Sequence, residues 1–171
     1  MDFLKWLYAS FDGRARRLHY WLGSLGLILV LIVLTGLLAS VIGIVPAQII
    51  GNVVAFALIL PVVVKRLHDR NKPAMPWALL FLGVPAIVNL AQYLGIGFDQ
   101  VEATGELAPS LEGVAPPPAE VVLMQPNALG FALLFAGLVV GLWALVELGF
   151  LRGTVGPNQY GPDPKGDALS G

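Results

Sequence analysis

His68 and Asp69 stand side by side in the stretch V-K-R-L-H-D-R-N-K-P (64–73), with Lys65, Arg66, Arg70 and Lys72 around them. A histidine next to an aspartate is a pairing that metal-dependent hydrolases and proton relays use. The imidazole supplies a neutral nitrogen ligand or a base, and the carboxylate a second ligand or an orienting partner. A divalent ion needs more donors than these two. The chain has one other histidine, His19, and no cysteine. A ligand set of His19, His68, Asp69 and Glu147 can be drawn, but no spacing compels it. The alternative is structural: Asp69 pairs with Arg14 or Arg17 and fixes a turn against a helix, with His68 at the interface. The sequence favours this latch, so no catalytic residue, metal or cofactor is expected.

The elements that hold this pair are membrane helices. Of 171 residues, 57% are apolar and 12% charged, and mean hydropathy is +0.78; soluble domains carry about twice that charge. The net charge of −1 says less than the placement of the charges. Without cysteine, disulfides, thiolate metal sites and cysteine nucleophiles are excluded. Four runs, at 20–45, 47–64, 77–96 and 128–151, are long enough to cross about 30 Å of hydrocarbon. Arg14, Arg16 and Arg17 before the first run suggest a signal peptide, but that run is too long for one and three more come after it. Pro46 is expected to open the turn between the first two spans as the first residue of the second helix. Pro61 and Pro85 fall inside spans and remove backbone donors.

All ten Lys and Arg residues lie at 5–17, 65–72, 152 and 165, and none lies at 97–126 or near Pro46. With four spans, every basic segment falls on one side, which by the positive-inside rule is the cytoplasm, together with both termini. The 97–126 segment, with Asp99, Glu102, Glu106, Glu112, Glu120 and Pro116-Pro117-Pro118, reads as an irregular extracytoplasmic loop. Segment 1–19 repeats Phe3, Leu4, Leu7 and Phe11 at helical spacing, which suggests a short helix in the inner interface. Asp12 is a candidate N-cap for the helix after it.

Three patches fall on the basic side: F-D-G-R-A-R-R-L-H-Y-W (11–21), K-R-L-H-D-R (65–70) and G-T-V-G-P-N-Q-Y-G-P-D-P (153–164). Together they resemble a small bacterial inner-membrane family, domain of unknown function 805, also called YhaH-like. Phe11, Gly13, Arg14, Arg17, Tyr20 and Trp21 match the first family motif. Arg66, Leu67, His68 and Asp69 match the second, and Gly153, Gly156, Asn158, Tyr160, Gly161 and Pro162 the third. The resemblance covers nearly the whole chain and implies a location and a topology, but no activity. One departure is the stretch 70–76, which lacks the family's Gly/Ser character before Trp77 and implies a stiffer turn.

Other residues have competing uses. Glu147 is the one acid inside an expected span, so it is either a buried partner for Arg17, Arg66 or His68 or part of a proton path. The basic cluster suits topological anchoring or anionic headgroups; it is too short and interrupted for nucleic acid. Gly137 with Gly141, Gly36 with Ser40, and Ala39 with Gly43 are small pairs that allow close helix approach or self-association. The tail 152–171 is rich in Gly and Pro and lacks the spacing of a phosphate-binding P-loop. It is expected to fold back as a cap, with Asn158 and Tyr160 hydrogen-bonded to the other motifs.

The expected fold is therefore all-α: one polytopic membrane domain, 1–171, with four transmembrane helices and an interfacial N-terminal helix. The expected function is a non-catalytic interaction or accessory component with a composite cytoplasmic surface. Its partners would be membrane lipids, a membrane protein or a second copy of the chain. The alternatives are an inner-leaflet lipid-binding protein, a membrane enzyme using His68 and Asp69, and a small transporter or channel.

Overall fold

The apolar runs fold as helices because a chain in hydrocarbon must satisfy its backbone polar groups internally. The computed structural model describes residues 3–102 and 122–165. A short helix α1 (Phe3–Ala9) precedes two 26-residue helices, α2 (Arg17–Ile42) and α3 (Ile44–Asp69). Helix α4 (Ala74–Tyr93) and helix α5 (Ala128–Phe150) complete a set of four that are long and apolar enough to cross a membrane. Between α4 and α5, strands β1 (Phe98–Glu102) and β2 (Val122–Pro126) pair antiparallel, Phe98 opposite Pro126. The protein is thus an all-α multi-pass membrane protein with one added β-ribbon.

Several boundaries differ from the sequence reading, each for a local reason. The break between α2 and α3 is Gly43, at φ 87°, where a glycine is at ease and other residues are not. Pro46 lies in the first turn of α3, where the missing N–H costs nothing. Asp12 caps no helix; α2 starts at Arg17 with Arg16 as its N-cap and no side-chain capping bond. Helix α3 runs five residues past the expected end at Val64, through Lys65 and Arg66 to Asp69. Segment 97–126 is not irregular at its ends, since residues 98–102 and 122–126 pair as strands. Its middle, including Glu106, Glu112 and Glu120, lies outside the described residues.

The chain packs as two compact units, Met1–Ala86 with Val139–Gly171, and Ile87–Leu138. In the first, Val63, Val64 and Leu67 of α3 bury against Ala78, Phe81 and Leu148. Trp143 meets Trp77 and Phe81 edge-on, each at 5.5 Å between ring centres. Leu7 of α1 is fully buried and lies against Gly23 of α2, so the N-terminal helix docks on protein with part of its apolar stripe. In the second unit, Asn127 Oδ1 accepts the backbone N–H groups of Leu129 and Gly130 and caps the start of α5. All ten Lys and Arg residues belong to the first unit.

Candidate functional site

Helix ends leave carbonyls without partners, and a helix C-terminus carries partial negative charge. Arg17, Lys65, Arg66 and Arg70 of the first unit answer this problem. Helix α5 finishes in a widened π turn, Leu145–Phe150. Arg66 Nε donates to Leu148 O at 2.7 Å, Trp21 Nε1 to Gly149 O at 3.1 Å and Arg17 Nη1 to Phe150 O at 3.1 Å. Just past the helix, Arg66 Nη2 donates to Leu151 O at 2.5 Å and Arg70 Nη1 to Arg152 O at 2.6 Å. Arg17 and Trp21 are four residues apart, hence on one face of α2, and reach consecutive carbonyls. Helix α1 is closed the same way. Lys65, fully buried, donates from Nζ to Leu7 O at 2.8 Å, Ser10 O at 2.6 Å and Trp6 O, with its ammonium 4.7 Å from the Trp6 ring centre.

Asp69, at the end of α3, ties these caps to the tail. Its Oδ1 accepts from Arg14 Nη2 at 3.1 Å and Nε at 3.3 Å, and its Oδ2 from Arg66 Nη1. Its backbone carbonyl accepts from Thr154 N at 2.8 Å and Thr154 Oγ1 at 2.9 Å. Arg14 is itself buried and extends the network, donating to Thr154 O at 2.6 Å and Gly156 O at 2.7 Å. Two guanidinium groups on one buried carboxylate leave a positive charge that the tail carbonyls of Thr154, Gly156 and Gly161 help to disperse. A Cβ on Gly153 would run into the Asp69 carboxylate, so the tail approaches there only as glycine.

His68 meets the tail through its ring. Its ring stacks on Tyr160, 3.9 Å between centres and 5° between planes. Asn158 Nδ2 donates to His68 O and to Thr154 Oγ1, both at 2.9 Å, while Asn158 Oδ1 accepts from Tyr160 N at 2.9 Å. Asn158 and Gly161 pair their backbones in both directions, closing the 158–161 turn. Tyr160 meets the His68 ring by stacking, where the sequence reading has it hydrogen-bonding to another motif.

The structure brings together Gly13, Arg14, Arg17, Tyr20, Trp21, Arg66, His68, Asp69, Glu147, Asn158, Tyr160 and Gly161 in one unit. It changes some of their partners. Asp69 pairs with Arg14 and with Arg66, not with Arg17. Glu147 is buried, but its partners are Arg70 and Lys72, each at 2.9 Å from Oε1, rather than Arg17, Arg66 or His68. His19 packs edge-on against Phe3 and Trp6. Among the described residues no cluster of three or more His, Cys, Asp or Glu could hold a metal ion. Lys65, Thr154 and Arg70 are central to the network, and sequence reasoning does not single them out as site residues. Lys65 and Arg70 are charged residues flanking the His-Asp pair, a signal present in the sequence; Thr154 gives none.

The tail is also pinned by a carboxylate outside the spans. Asp163 accepts from Gly156 N at 2.8 Å and Lys165 N at 2.9 Å. The Lys165 and Gly156 N–H groups hold its carboxyl below the ordinary aspartate range.

With three sequence-distant motifs joined in one network, the family becomes testable. The family model described as "Protein of unknown function (DUF805)" matches residues 8–162. The chain belongs to the DUF805 family. Comparison with curated proteins and with solved structures gives no match. The DUF805 match runs from Tyr8 to Pro162, through the first two patches and most of the third, and places the chain as a multi-pass protein of the bacterial inner membrane. The family description assigns no activity.

Proposed function

We propose that this DUF805 protein is a non-catalytic accessory component of the inner membrane, whose three motifs form one cap on the cytoplasmic side. The observation that carries the reading is the state of Asp69. Both of its carboxylate oxygens are taken by arginines and its carbonyl by Thr154, so the most enzyme-like pair in the sequence is a latch. Cytoplasmic placement is supported by the positive-inside rule, because every Lys and Arg lies at the cap end of the spans or in their flanks. The cap surface offers Val155, Pro157 and Gln159 to a partner, all exposed.

The test is purification of the full chain from its own membrane in mild detergent, with mass measurement of any protein held at fixed stoichiometry. Wild type is expected to retain such a companion, and Gln159→Arg to lose it while melting unchanged. A purified chain that turns over a lipid or nucleotide, and stops doing so in folded Asp69→Asn, would overturn the reading.

A further inference from the structure

Beside the latch lies a cavity of about 140 Å³ lined by Arg16, Arg17, Arg66, Arg152 and Lys165, with Asp69 and Asp163 as its acidic residues. The cations outnumber the acids: Asp69 is already shared between Arg66 and Arg14, and Asp163, which accepts two backbone N–H groups, is one carboxylate beside Arg16, Arg17, Arg152 and Lys165. The side chains of Arg16, Arg152 and Lys165 make no ion pair among the described residues. Arg16 Nε is buried and donates to no group among the described residues.

The backbone adds charge of the same sign. Arg16 and Arg17 are the N-cap and first residue of the 26-residue helix α2, whose first turn holds no acid and whose N-cap makes no side-chain bond. Cations at a helix N-terminus oppose the macrodipole, and an anion there would satisfy both the dipole and the guanidinium groups. Planar guanidinium forks favour phosphoryl oxygens in particular.

We infer that this cavity binds the phosphoryl group of an anionic lipid headgroup. The choice of a lipid follows from the cavity's rim. Val155, 75% exposed, lines it beside Pro164. Apolar side chains left open beside a cationic pocket at the end of membrane helices suit an acyl chain attached to the phosphate. The inference rests on the proposed placement of the cap at the membrane surface, and it names a ligand that the cap reading alone does not.

The test uses the full chain reconstituted in vesicles of equal phosphatidylglycerol and phosphatidylcholine, then extracted in mild detergent, with bound lipid counted by native mass spectrometry. Wild type should retain phosphatidylglycerol over phosphatidylcholine. Arg16→Gln with Arg152→Gln should cut that retention by at least about tenfold, since each cation near anionic lipid contributes appreciably. Lys5→Gln, outside the cavity, should leave it unchanged. If the double variant fails to fold, Arg152→Gln alone, altering an exposed side chain, carries the same expectation in direction. Equal retention of both lipids, or undiminished phosphatidylglycerol in the folded variants, overturns the inference. So does a melting shift with inorganic phosphate in the absence of retained lipid, which would make the occupant a soluble anion. Companion proteins are read in the separate purification from the native membrane, so loss of the accessory reading and loss of the lipid site are distinguishable.

Discussion

Arg14 and Asp69, 55 positions apart in sequence, meet in a buried ion pair at 3.1 Å, and that contact closes the N-terminal segment, the end of α3 and the tail into one cap. Breaking a buried pair from one side strands a charge and costs about 3–5 kcal/mol. Asp69→Asn is therefore expected to lower stability by roughly that amount, because it leaves both Arg14 and Arg66 uncompensated. Thermal unfolding of the detergent-solubilised chain reads the loss. A double-mutant cycle with Arg14→Gln should show coupling; additive losses would mean that the pair is not a working contact.

Gly153 tests the same contact through shape. A methyl group there meets the Asp69 carboxylate, whereas one on Gly141 meets nothing within 4 Å. Gly153→Ala should cost about 1–3 kcal/mol, as overpacking does. Gly141→Ala should be neutral or slightly stabilising, because alanine is the better helix former. Equal melting temperatures for the two variants would contradict the observed approach of the tail.

Lys65→Met removes the ammonium that satisfies Trp6, Leu7 and Ser10 carbonyls. Hydrogen bonds to charged groups contribute about 1.5–3 kcal/mol each. The expected result is local release of α1, seen as faster hydrogen exchange across residues 3–9, with Lys65→Arg retaining more protection. Unchanged exchange in Lys65→Met would show that Leu7 burial alone holds the helix.

The Asp163 carboxyl is held below its ordinary range by the Lys165 and Gly156 N–H groups. A carboxylate whose folded pKa is depressed contributes stability that is present above its unfolded value, near the ordinary aspartate pKa of about 3.9, and is lost as pH falls through the folded value. Limited proteolysis of residues 153–165 should therefore be slow at neutral pH and accelerate in acid below that range. Asp163→Asn should already be cut faster at neutral pH. A variant as resistant as wild type at every pH would remove Asp163 from the tail's support.

The spans are legible in the sequence because hydrocarbon imposes one pattern, long charge-free helices, and Leu25 to Val41 of α2 meets it without ambiguity. The three motifs are legible as residues flanking the spans, and Asp69 as an acid within reach of an arginine of the first motif. The identity of their partners is not. Charge alone offers Asp69 either Arg14 or Arg17; Arg14 takes it, and Arg17 donates to a carbonyl of α5 instead, because helix ends present backbone acceptors that no sequence pattern displays. Glu147 goes to Arg70 and Lys72 rather than to Arg17, Arg66 or His68, since α3 continues beyond Val64 and carries Arg66 to the end carbonyls of α5. The basic run around His68 thus serves more than topology: Lys65 and Arg66 cap helices that lie tens of residues away.

The proposed cytoplasmic placement of the cap is supported by charge placement. Moving basic residues across a membrane is disfavoured, and all ten lie in the flanks and hairpin that four spans place together. In intact cells, the cysteine-free chain gives a clean background for single-cysteine labelling. A cysteine replacing Glu106 should react with a membrane-impermeant maleimide added outside, and one replacing Lys72 should react only after the membrane is opened. The reverse pattern would put the cap, with its Arg16 and Arg152 cavity, on the outer face and remove the inner leaflet as the source of its lipid.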